Sequence, residues 1–355
     1  MIEKHIRQSE SGDNLVIVGD WASRATLDII GVAGMDQDFH SLRDPSNKLN
    51  EQYRRILVEP SRLMRLVTLF GMLVMDLELF AKLPLRQNVE INAASESIRT
   101  AARQIIRQKK EKMERQPEAA GDVDIISVAL RSGAFSEENL VDQMMTFLAA
   151  GHETTSSALQ WAVYALCKHP DMQTRLRDEV RAHLPPISIS ASASASISAA
   201  AIDSLPYLNA FCHEVLRYYP SVPVTLREAV RDTSIAGTPI PKGTVVLLAP
   251  EAINRSTRLW GADADVFNPD RWLGPGRANA GGADSNYAFL SFLHGPRGCI
   301  GQGFARGELA CLVAVTVGRF RMELEDPEAE LLLRRGVTVS PRDGVRARFT
   351  PLEGW

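Results

Sequence analysis

Apolar residues recur at helical spacing along most of the chain, so the sequence reads as one helix after another. Two amphipathic segments lie at 20–33 and 95–116, and each places its apolar positions on one face. A longer helix is predicted to start at Ser136, a candidate N-cap followed by two acidic residues that the helix dipole favours, and to stop at Pro170. At 1.5 Å per residue it measures about 45–50 Å, which is long enough to cross a whole domain.

The pattern changes in the second half of the chain. Three further helices are predicted at 172–184, 205–220 and 304–320, but short β-branched runs separated by turn residues fill 233–250. Irregular sequence rich in Pro and Gly occupies 261–298, and a β-like tail follows the last helix. We therefore predict a mainly α fold with a minor β part, organised as one domain over residues 1–355.

Two segments have unusual composition. Residues 187–201 consist almost entirely of Ser, Ala and Ile, and this low complexity favours a surface loop without chemistry over the strand that the alternation would allow. The most apolar run, 66–75, has ten residues, whereas a membrane span needs about 20. Two interpretations of this run stay open, a buried helix segment and a shallow peripheral contact with a membrane.

Composition excludes several classes of protein. The 355 residues are 45% hydrophobic and 23% charged, as in a globular protein, and a net charge of −3 gives no basic surface for nucleic acid. The polar N-terminus has no apolar core of a signal peptide, so we expect no transmembrane segment in this chain. The cysteines form no CxxC pair, which argues against a zinc ribbon or a disulfide framework and favours a thiol-reducing compartment; they are Cys167, Cys212, Cys299 and Cys311.

The segment FLHGPRGCIG (292–301) carries the clearest chemical signal. It places Cys299 among glycines directly before an apolar helix, where the helix dipole stabilises a thiolate, the form of cysteine that binds metal. Glycines let the backbone approach a flat ligand closely, and Arg297 could pair with a carboxylate on that ligand. The alternative is a buried, inert cysteine in a turn, which this setting does not favour.

These residues match the haem-binding signature F-x-x-G-x-R-x-C-x-G of the cytochrome P-450 family in full. The matching positions are Phe292, Gly295, Arg297, Cys299 and Gly301. The resemblance implies haem b as cofactor, with the Cys299 thiolate as the axial ligand of the iron; such a ligand pushes electron density onto the iron and favours O–O cleavage.

A polar break, AGHETT (150–155), interrupts the apolar pattern in the middle of the long helix. Taken alone, it would be a solvent-facing patch or a threonine bonded back to its own helix. It also resembles the oxygen-activation motif [AG]-G-x-[DE]-T of the same family. In that resemblance Gly151 leaves space over the haem, Thr154 hydrogen-bonds dioxygen, and Glu153 relays protons.

A third motif is the pair Glu214 and Arg217, which stand at i,i+3 on one predicted helix among apolar neighbours. E-x-x-R alone is a weak signal, since most such pairs are exposed and contribute little. In the family the two residues join an arginine from a later segment in a structural ion network. The matching segment here is FNPDRW (267–272), and Arg271 is the implied third partner.

The resemblance also implies contacts with the rest of the haem and with the substrate. Arg227 resembles the arginine that reaches a haem propionate, although a plain surface arginine is the alternative. The implied substrate contacts are Phe147 in the long helix and the segment 221–225, with Val222 and Val224.

The chain departs from the family pattern at its N-terminal side. The family's membrane anchor, its first β-sheet and the early helix with a W-x-x-x-R haem contact have no counterpart, so the resemblance implies a partial domain. A shortened gene model and a truly truncated protein are both open explanations. The second of these leaves a non-catalytic remnant with weak or no haem binding as the alternative function.

The activity that the resemblance implies is that of a monooxygenase, which inserts one oxygen atom of O2 into an apolar organic substrate. Electrons would come from NADPH through a flavoprotein reductase, and the style of the haem segment is similar to fungal members that act in secondary metabolism. A haem-thiolate isomerase or dehydratase is less favoured, because those proteins usually lose the acid–threonine pair. The implied location is the cytoplasm or the surface of the endoplasmic reticulum, with a longer form anchored in the membrane.

Overall fold

A computed structural model describes the positions 2, 6, 14–56, 66–67, 82–83, 85–115, 124–186, 197–277 and 280–355. The chain divides into two compact units. The first unit consists of Asp20–Ser156 and Arg334–Val337. The second consists of Ile2–Gly19, Ser157–Leu333 and Thr338–Trp355.

The first unit is helical. Its helices are α1 (Val18–Met35, apart from its first two residues), α2 (Lys48–Ile56), α3 (Arg86–Arg115), α4 (Ile125–Ser132) and the first part of α5 (Glu137–Lys168). The helices predicted at 20–33 and 95–116 are confirmed as α1 and α3. Helix α3 starts earlier than predicted because its first turns are polar and exposed, with Val89 facing solvent, so they show no apolar periodicity.

The long helix α5 is confirmed in both its bounds and its cap. The backbone N–H of Asn139 donates to the Ser136 hydroxyl at 3.2 Å, which satisfies one of the N–H groups left unpaired at a helix start. The helix ends at Lys168, two residues before Pro170. Its first half contributes apolar side chains to the core of the first unit, where they pack with residues of α1 and α3; the core includes Leu27, Ile30, Ile98, Ala102, Ile106, Met144 and Leu148.

The second unit contains the remaining helices of the described chain. These are the end of α5 together with α6 (Pro170–His183), α7 (Ala199–Asp203), α8 (Pro206–Tyr218), α9 (Pro250–Asn254), α10 (Thr257–Trp260) and α11 (Gln302–Arg319). The predicted helices at 172–184, 205–220 and 304–320 are therefore confirmed as α6, α8 and α11. The stretch predicted as irregular, 261–298, follows α10 and holds three short 3₁₀ turns, at Pro269–Trp272, Asn286–Ala288 and Gly295–Arg297.

Small antiparallel sheets account for the minor β part. Strand β1 (Leu15–Ile17) and β6 (Phe320–Leu324) flank β9 (Arg346–Pro351) in one sheet, β2 (Thr225–Glu228) pairs with β5 (Val245–Leu248), and β3 (Thr233–Ile235) forms a hairpin with β4 (Thr238–Ile240). Two further strands, β7 (Leu333–Arg335) and β8 (Val339–Pro341), lie in the tail. Ala236 and Gly237 have φ of 49° and 83° in the β3–β4 turn, the positive values that a tight hairpin needs. The prediction of a mainly α fold with a minor β part is confirmed.

The two segments of unusual composition are only partly described. The loop prediction for 187–201 is wrong at its end, because Ala199–Asp203 form α7 and the backbone N–H of Ala201 donates to the Ser198 hydroxyl at 3.1 Å; consecutive alanines favour helix once a serine caps them. Residues 187–196 lie outside the described residues, as do 68–75 of the apolar run. No helix among the described residues is long and apolar enough to cross a membrane.

Candidate functional site

The loop that carries Cys299 has a defined backbone geometry. The N–H of Cys299 donates to the carbonyl of Phe292 at 2.8 Å, and the N–H of Gly298 donates to the carbonyl of Gly295 at 2.9 Å. Gly295 adopts a φ of 74°, a value that glycine takes without steric cost. These contacts fold residues 292–301 into a closed turn that ends at the first residue of α11.

The loop presents a thiol and apolar side chains on its outside. Cys299 is exposed, Ile300 is 89% exposed, and Phe304 in the first turn of α11 is exposed as well. A Cβ at Gly301 would lie 4.0 Å from the Cys299 Sγ. A sulfur at a helix start, surrounded by uncovered apolar surface and glycine, fits a flat apolar group with a metal at its centre.

The other cysteines offer no comparable ligand. Burial raises the pKa of Cys167 to about 12 and also raises the pKa values of Cys212 and Cys311, so these three thiols stay protonated near neutral pH. Within the described ranges, no three His, Cys, Asp or Glu side chains come together as a metal site. Cys299 is therefore the candidate ligand that the structure supports best.

The structure brings Glu214, Arg217 and Arg271 together in the second unit. The guanidinium of Arg217 donates to both carboxylate oxygens of Glu214, at 2.8 and 2.7 Å, and the Arg271 Nε donates to the Glu214 Oε1 at 3.2 Å. Glu214 and Arg217 are fully buried. Charges taken out of water in this way stabilise a fold only when each keeps its partners.

Two further groups complete this cluster, and the sequence motif did not include them. The indole Nε1 of Trp272 donates to the Glu214 Oε2 at 2.9 Å, and the backbone N–H of Asn268 donates to the Glu214 Oε1 at 2.8 Å. Both residues lie in the FNPDRW segment that supplies Arg271. Their proximity to Arg271 in the sequence was the signal that could have indicated their contact with Glu214. His213, beside Glu214, stacks on the Trp272 ring, and burial lowers the pKa of His213 to about 4.

In the first unit, the acid of the polar break in α5 has an arginine partner. The Arg334 Nη2 donates to the Glu153 Oε1 at 2.6 Å, and Glu153 is buried. Arg334 comes from β7, 181 residues further along the chain, and no sequence pattern connected the two. The Thr154 hydroxyl donates to the carbonyl of Ala150 at 2.7 Å, which is the back-bonded state expected of a threonine inside a helix.

Comparison with known proteins decides the family of this chain. The family model described as Cytochrome P450 matches residues 1–345. The chain is 57% identical to the cytochrome P450 monooxygenase sphH of Aspergillus fumigatus over 100% of its own length, and 42% identical to FSL4, a cytochrome P450 monooxygenase of Gibberella zeae, over 98%. The chain belongs to the cytochrome P450 family. It spans 65% of the first relative's length and 64% of the second's.

His152, between Gly151 and Glu153, is a structural residue in this P450. It is almost fully buried, its Nδ1 lies 2.7 Å from the carbonyl of Leu148, and its ring meets Tyr53 edge-on at 5.0 Å. Burial lowers the pKa of His152, so the ring is neutral near pH 7. His152 is therefore a packing group, and proton transfer by Glu153 and Thr154 stays a prediction.

Gly151 packs against a neighbouring helix. A Cβ built on Gly151 would lie 2.8 Å from the Cγ1 and 3.0 Å from the Cδ1 of Ile30 in α1. Close approach of α1 and α5 is thus a reason for glycine here, and the clearance over a haem stays a prediction.

Replacing Gly151 by alanine should destabilise the chain by about 1 kcal/mol, because overpacking costs about 1–3 kcal/mol and the gain in helix propensity returns about 1 kcal/mol. Gly307→Ala is the matched control, since Gly307 lies in α11 with open space around its added Cβ, and it should stabilise. Urea denaturation measures the free energy of unfolding of both variants. In an Ile30→Ala background Gly151→Ala should cease to destabilise, and a persistent loss there would contradict the steric account.

The remaining predicted residues do not converge on one described feature. Arg227 is exposed, and its guanidinium donates to its neighbours, the Thr225 hydroxyl at 3.2 Å and the carbonyl of Leu226 at 2.8 Å. Arg297 is exposed. Phe147 packs on the core of the first unit, whereas Val222 and Val224 lie at the start of the β2 region of the second unit, partly or largely exposed. Their haem and substrate contacts stay predictions.

Proposed function

We propose that this P450 acts as a haem-thiolate monooxygenase that inserts one oxygen atom from O2 into an apolar organic substrate. Two electrons from NADPH, delivered by a flavoprotein reductase, and two protons reduce the second oxygen atom to water. The observation that carries the proposal is the Cys299 thiol, exposed at the start of α11 within the complete haem-binding signature. Fungal relatives named cytochrome P450 monooxygenases support it, and a role in fungal secondary metabolism is part of the proposal.

Haem b, when bound, supplies the oxygen-activating chemistry, and the chain's residues bind it and manage protons. Cys299, just before the N-terminal end of α11, would supply the sulfur that holds the haem iron. Phe292, Gly295 and Gly301 shape the loop around that sulfur. The cationic side chains of Arg227 and Arg297 are suited to the haem propionates.

Protons are held and passed by Glu153 and Thr154 in this proposal. The carboxylate of Glu153 accepts a hydrogen bond from Arg334, which keeps it fixed in a buried setting until a proton is transferred. The Thr154 hydroxyl donates to the carbonyl of Ala150, so in this rotamer its proton is directed to its own helix. Releasing the Thr154 proton toward oxygen requires rotation about the Cα–Cβ or Cβ–O bond, which takes place rapidly in a partly exposed side chain.

The test is an absorbance spectrum of the full chain supplied with haem, reduced and exposed to carbon monoxide. We expect a strongly red-shifted Soret band, the signature of thiolate ligation, followed by oxidation of an apolar substrate when reductase and NADPH are added. No haem uptake, or a Soret band without the red shift, would contradict the proposal for this chain and favour a non-catalytic remnant.

Thr154→Ala should leave haem binding intact and divert reducing equivalents to peroxide, because proton delivery loses a group that orients it. Thr146→Ala is the matched control: Thr146 lies in the same helix, with its hydroxyl back-bonded to the carbonyl of Asp142 at 2.8 Å. The measurement is the ratio of product and of hydrogen peroxide to NADPH consumed. Equal ratios in the two variants would argue against a role for Thr154 in proton delivery.

A further inference from the structure

Asn254, the last residue of α9, is a fully buried amide that connects two segments of the second unit. Its Nδ2 donates to the carbonyl of Arg217 at 3.2 Å and to the Ser291 hydroxyl at 2.8 Å. Its Oδ1 accepts from the backbone N–H of Leu290 at 2.9 Å. The side chain thus bonds the end of α8 on one side. On the other side it bonds Leu290 and Ser291, which directly precede residues 292–301, here called the Cys299 loop.

Two further hydrogen bonds connect α8 to the end of α9 and to Ser291. The Arg217 Nη1 donates to the backbone carbonyl of Asn254 at 2.8 Å, so the guanidinium that pairs with Glu214 also holds the end of α9. The Ser291 hydroxyl donates to the carbonyl of Leu216 at 2.6 Å. Satisfied buried networks of this kind are rigid, since each lost bond leaves a polar group unpaired.

A short path of backbone hydrogen bonds leads from this amide to the cysteine. The N–H of Leu293 donates to the carbonyl of Leu290 at 3.0 Å, and the N–H of Cys299 donates to the carbonyl of Phe292 at 2.8 Å. The backbone that leads into the loop is therefore held at Leu290 by Asn254, and Phe292 is held by Cys299 itself. A shift of Leu290 moves Phe292 and, with it, the backbone of the cysteine.

We propose that Asn254 is a positioning residue, which holds the Cys299 loop against the buried ion cluster and so keeps the thiolate in the geometry that binds haem iron. The effect of Asn254 on the haem spectrum rests on the proposed function, whereas its hydrogen bonds to the loop do not. Neither the haem-binding signature nor the E-x-x-R motif includes this residue. Asn254 holds the two segments together through both its amide donor and its carbonyl acceptor, which no apolar side chain of that size supplies.

The experiment compares Asn254→Ala with Gln173→Ala in the full chain. Gln173 is a matched control because it is also a buried amide with three bonds to the backbone, to the carbonyls of Leu166 at 3.0 Å and Met322 at 2.9 Å and from the N–H of Met322 at 2.9 Å. These bonds lie in α5, α6 and β6, away from the Cys299 loop along the chain. The two readouts are hydrogen exchange of the Leu290 amide without haem, and the fraction of red-shifted Soret band in the reduced carbon monoxide complex.

We expect Asn254→Ala to speed exchange at Leu290 by about tenfold or more, since the lost bond and its unpaired partners weaken local protection. The same variant should convert part of the red-shifted Soret band into the unshifted form, whereas Gln173→Ala should leave both readouts at wild-type values. Asn254→Asp retains the acceptor for Leu290 and loses the donors to the Arg217 carbonyl and the Ser291 hydroxyl, so its exchange at Leu290 should lie between those of the wild type and Asn254→Ala.

Equal changes in the Asn254 and Gln173 variants would overturn the proposal, because they would show a general loss of stability. If Asn254→Ala does not fold, Ser291→Ala removes two bonds of the same network, from Asn254 and to the carbonyl of Leu216, and takes its place in both measurements. If the wild-type chain lacks the red-shifted band, the monooxygenase proposal fails, and exchange at Leu290 alone then supports or overturns the anchoring by Asn254.

Discussion

Cys299→Ala is expected to abolish the red-shifted Soret band of the reduced carbon monoxide complex entirely. Alanine offers no atom that can bind the iron, and burial keeps the thiols of Cys167, Cys212 and Cys311 protonated. No other cysteine lies in the signature loop. The loss should therefore be complete, and a graded decrease is not expected.

The design of this test separates ligation from folding. Cys311→Ala is the control, because Cys311 is also exposed but lies in α11, outside the signature loop, and its spectrum should match the wild type. Since Cys299 is exposed, its replacement should change the free energy of unfolding of the haem-free chain by no more than about 0.5 kcal/mol. A normal red-shifted band in Cys299→Ala would refute the ligand assignment.

Glu214→Gln is expected to cause a large loss of stability in the second unit. Glutamine keeps the size of the side chain but removes the charge opposite two buried guanidinium groups, Arg217 and Arg271. Breaking a buried ion pair on one side typically costs about 3–5 kcal/mol, against a total stability of about 5–15 kcal/mol for a domain. Urea denaturation, or the yield of folded chain, measures the effect.

Asp270→Asn is the matched control for this substitution. Asp270 lies beside Arg271 in the same 3₁₀ turn, and its carboxylate pairs with Arg175 at 2.7 Å while both side chains are about half exposed. Exposed pairs contribute about 0–1 kcal/mol, so Asp270→Asn should have a small effect. If Glu214→Gln costs no more than Asp270→Asn, the buried cluster is not what stabilises this part of the chain.

Both the helices and the candidate ligand were accessible from the sequence because their signals are local. The Ser136 cap and the proline that follows α5 stand within a few residues of the helix ends that they define. Likewise, Glu214 and Arg217 face each other because they are one helical turn apart, and the Cys299 signature lies within ten consecutive residues. Boundaries were less accurate where the local signal was weak, as in the polar first turns of α3 and in α7.

The contacts that refine the candidate site come from residues far apart in the chain. Arg334 reaches Glu153 across 181 residues, and Asn254 reaches Leu290 across 36 residues. A lone arginine or a lone asparagine has no periodic relation to its partner, so neither pattern nor spacing indicates the bond. The same holds for Ile30, whose position against Gly151 gives that glycine a packing role.

The sequence by itself determined where the six longer helices of the described chain lie, which cysteine is the candidate ligand and to which family the motifs point, because short-range spacing encodes helix faces and loop chemistry. It did not indicate the shorter helices, such as α2 and α4. Only the tertiary structure decided which polar groups satisfy each other in the interior. Burial makes an unpaired charge or amide costly, so each buried group takes the partner that the packing of distant segments brings within hydrogen-bond distance. For Glu153, Glu214 and Asn254 those partners were set by that packing.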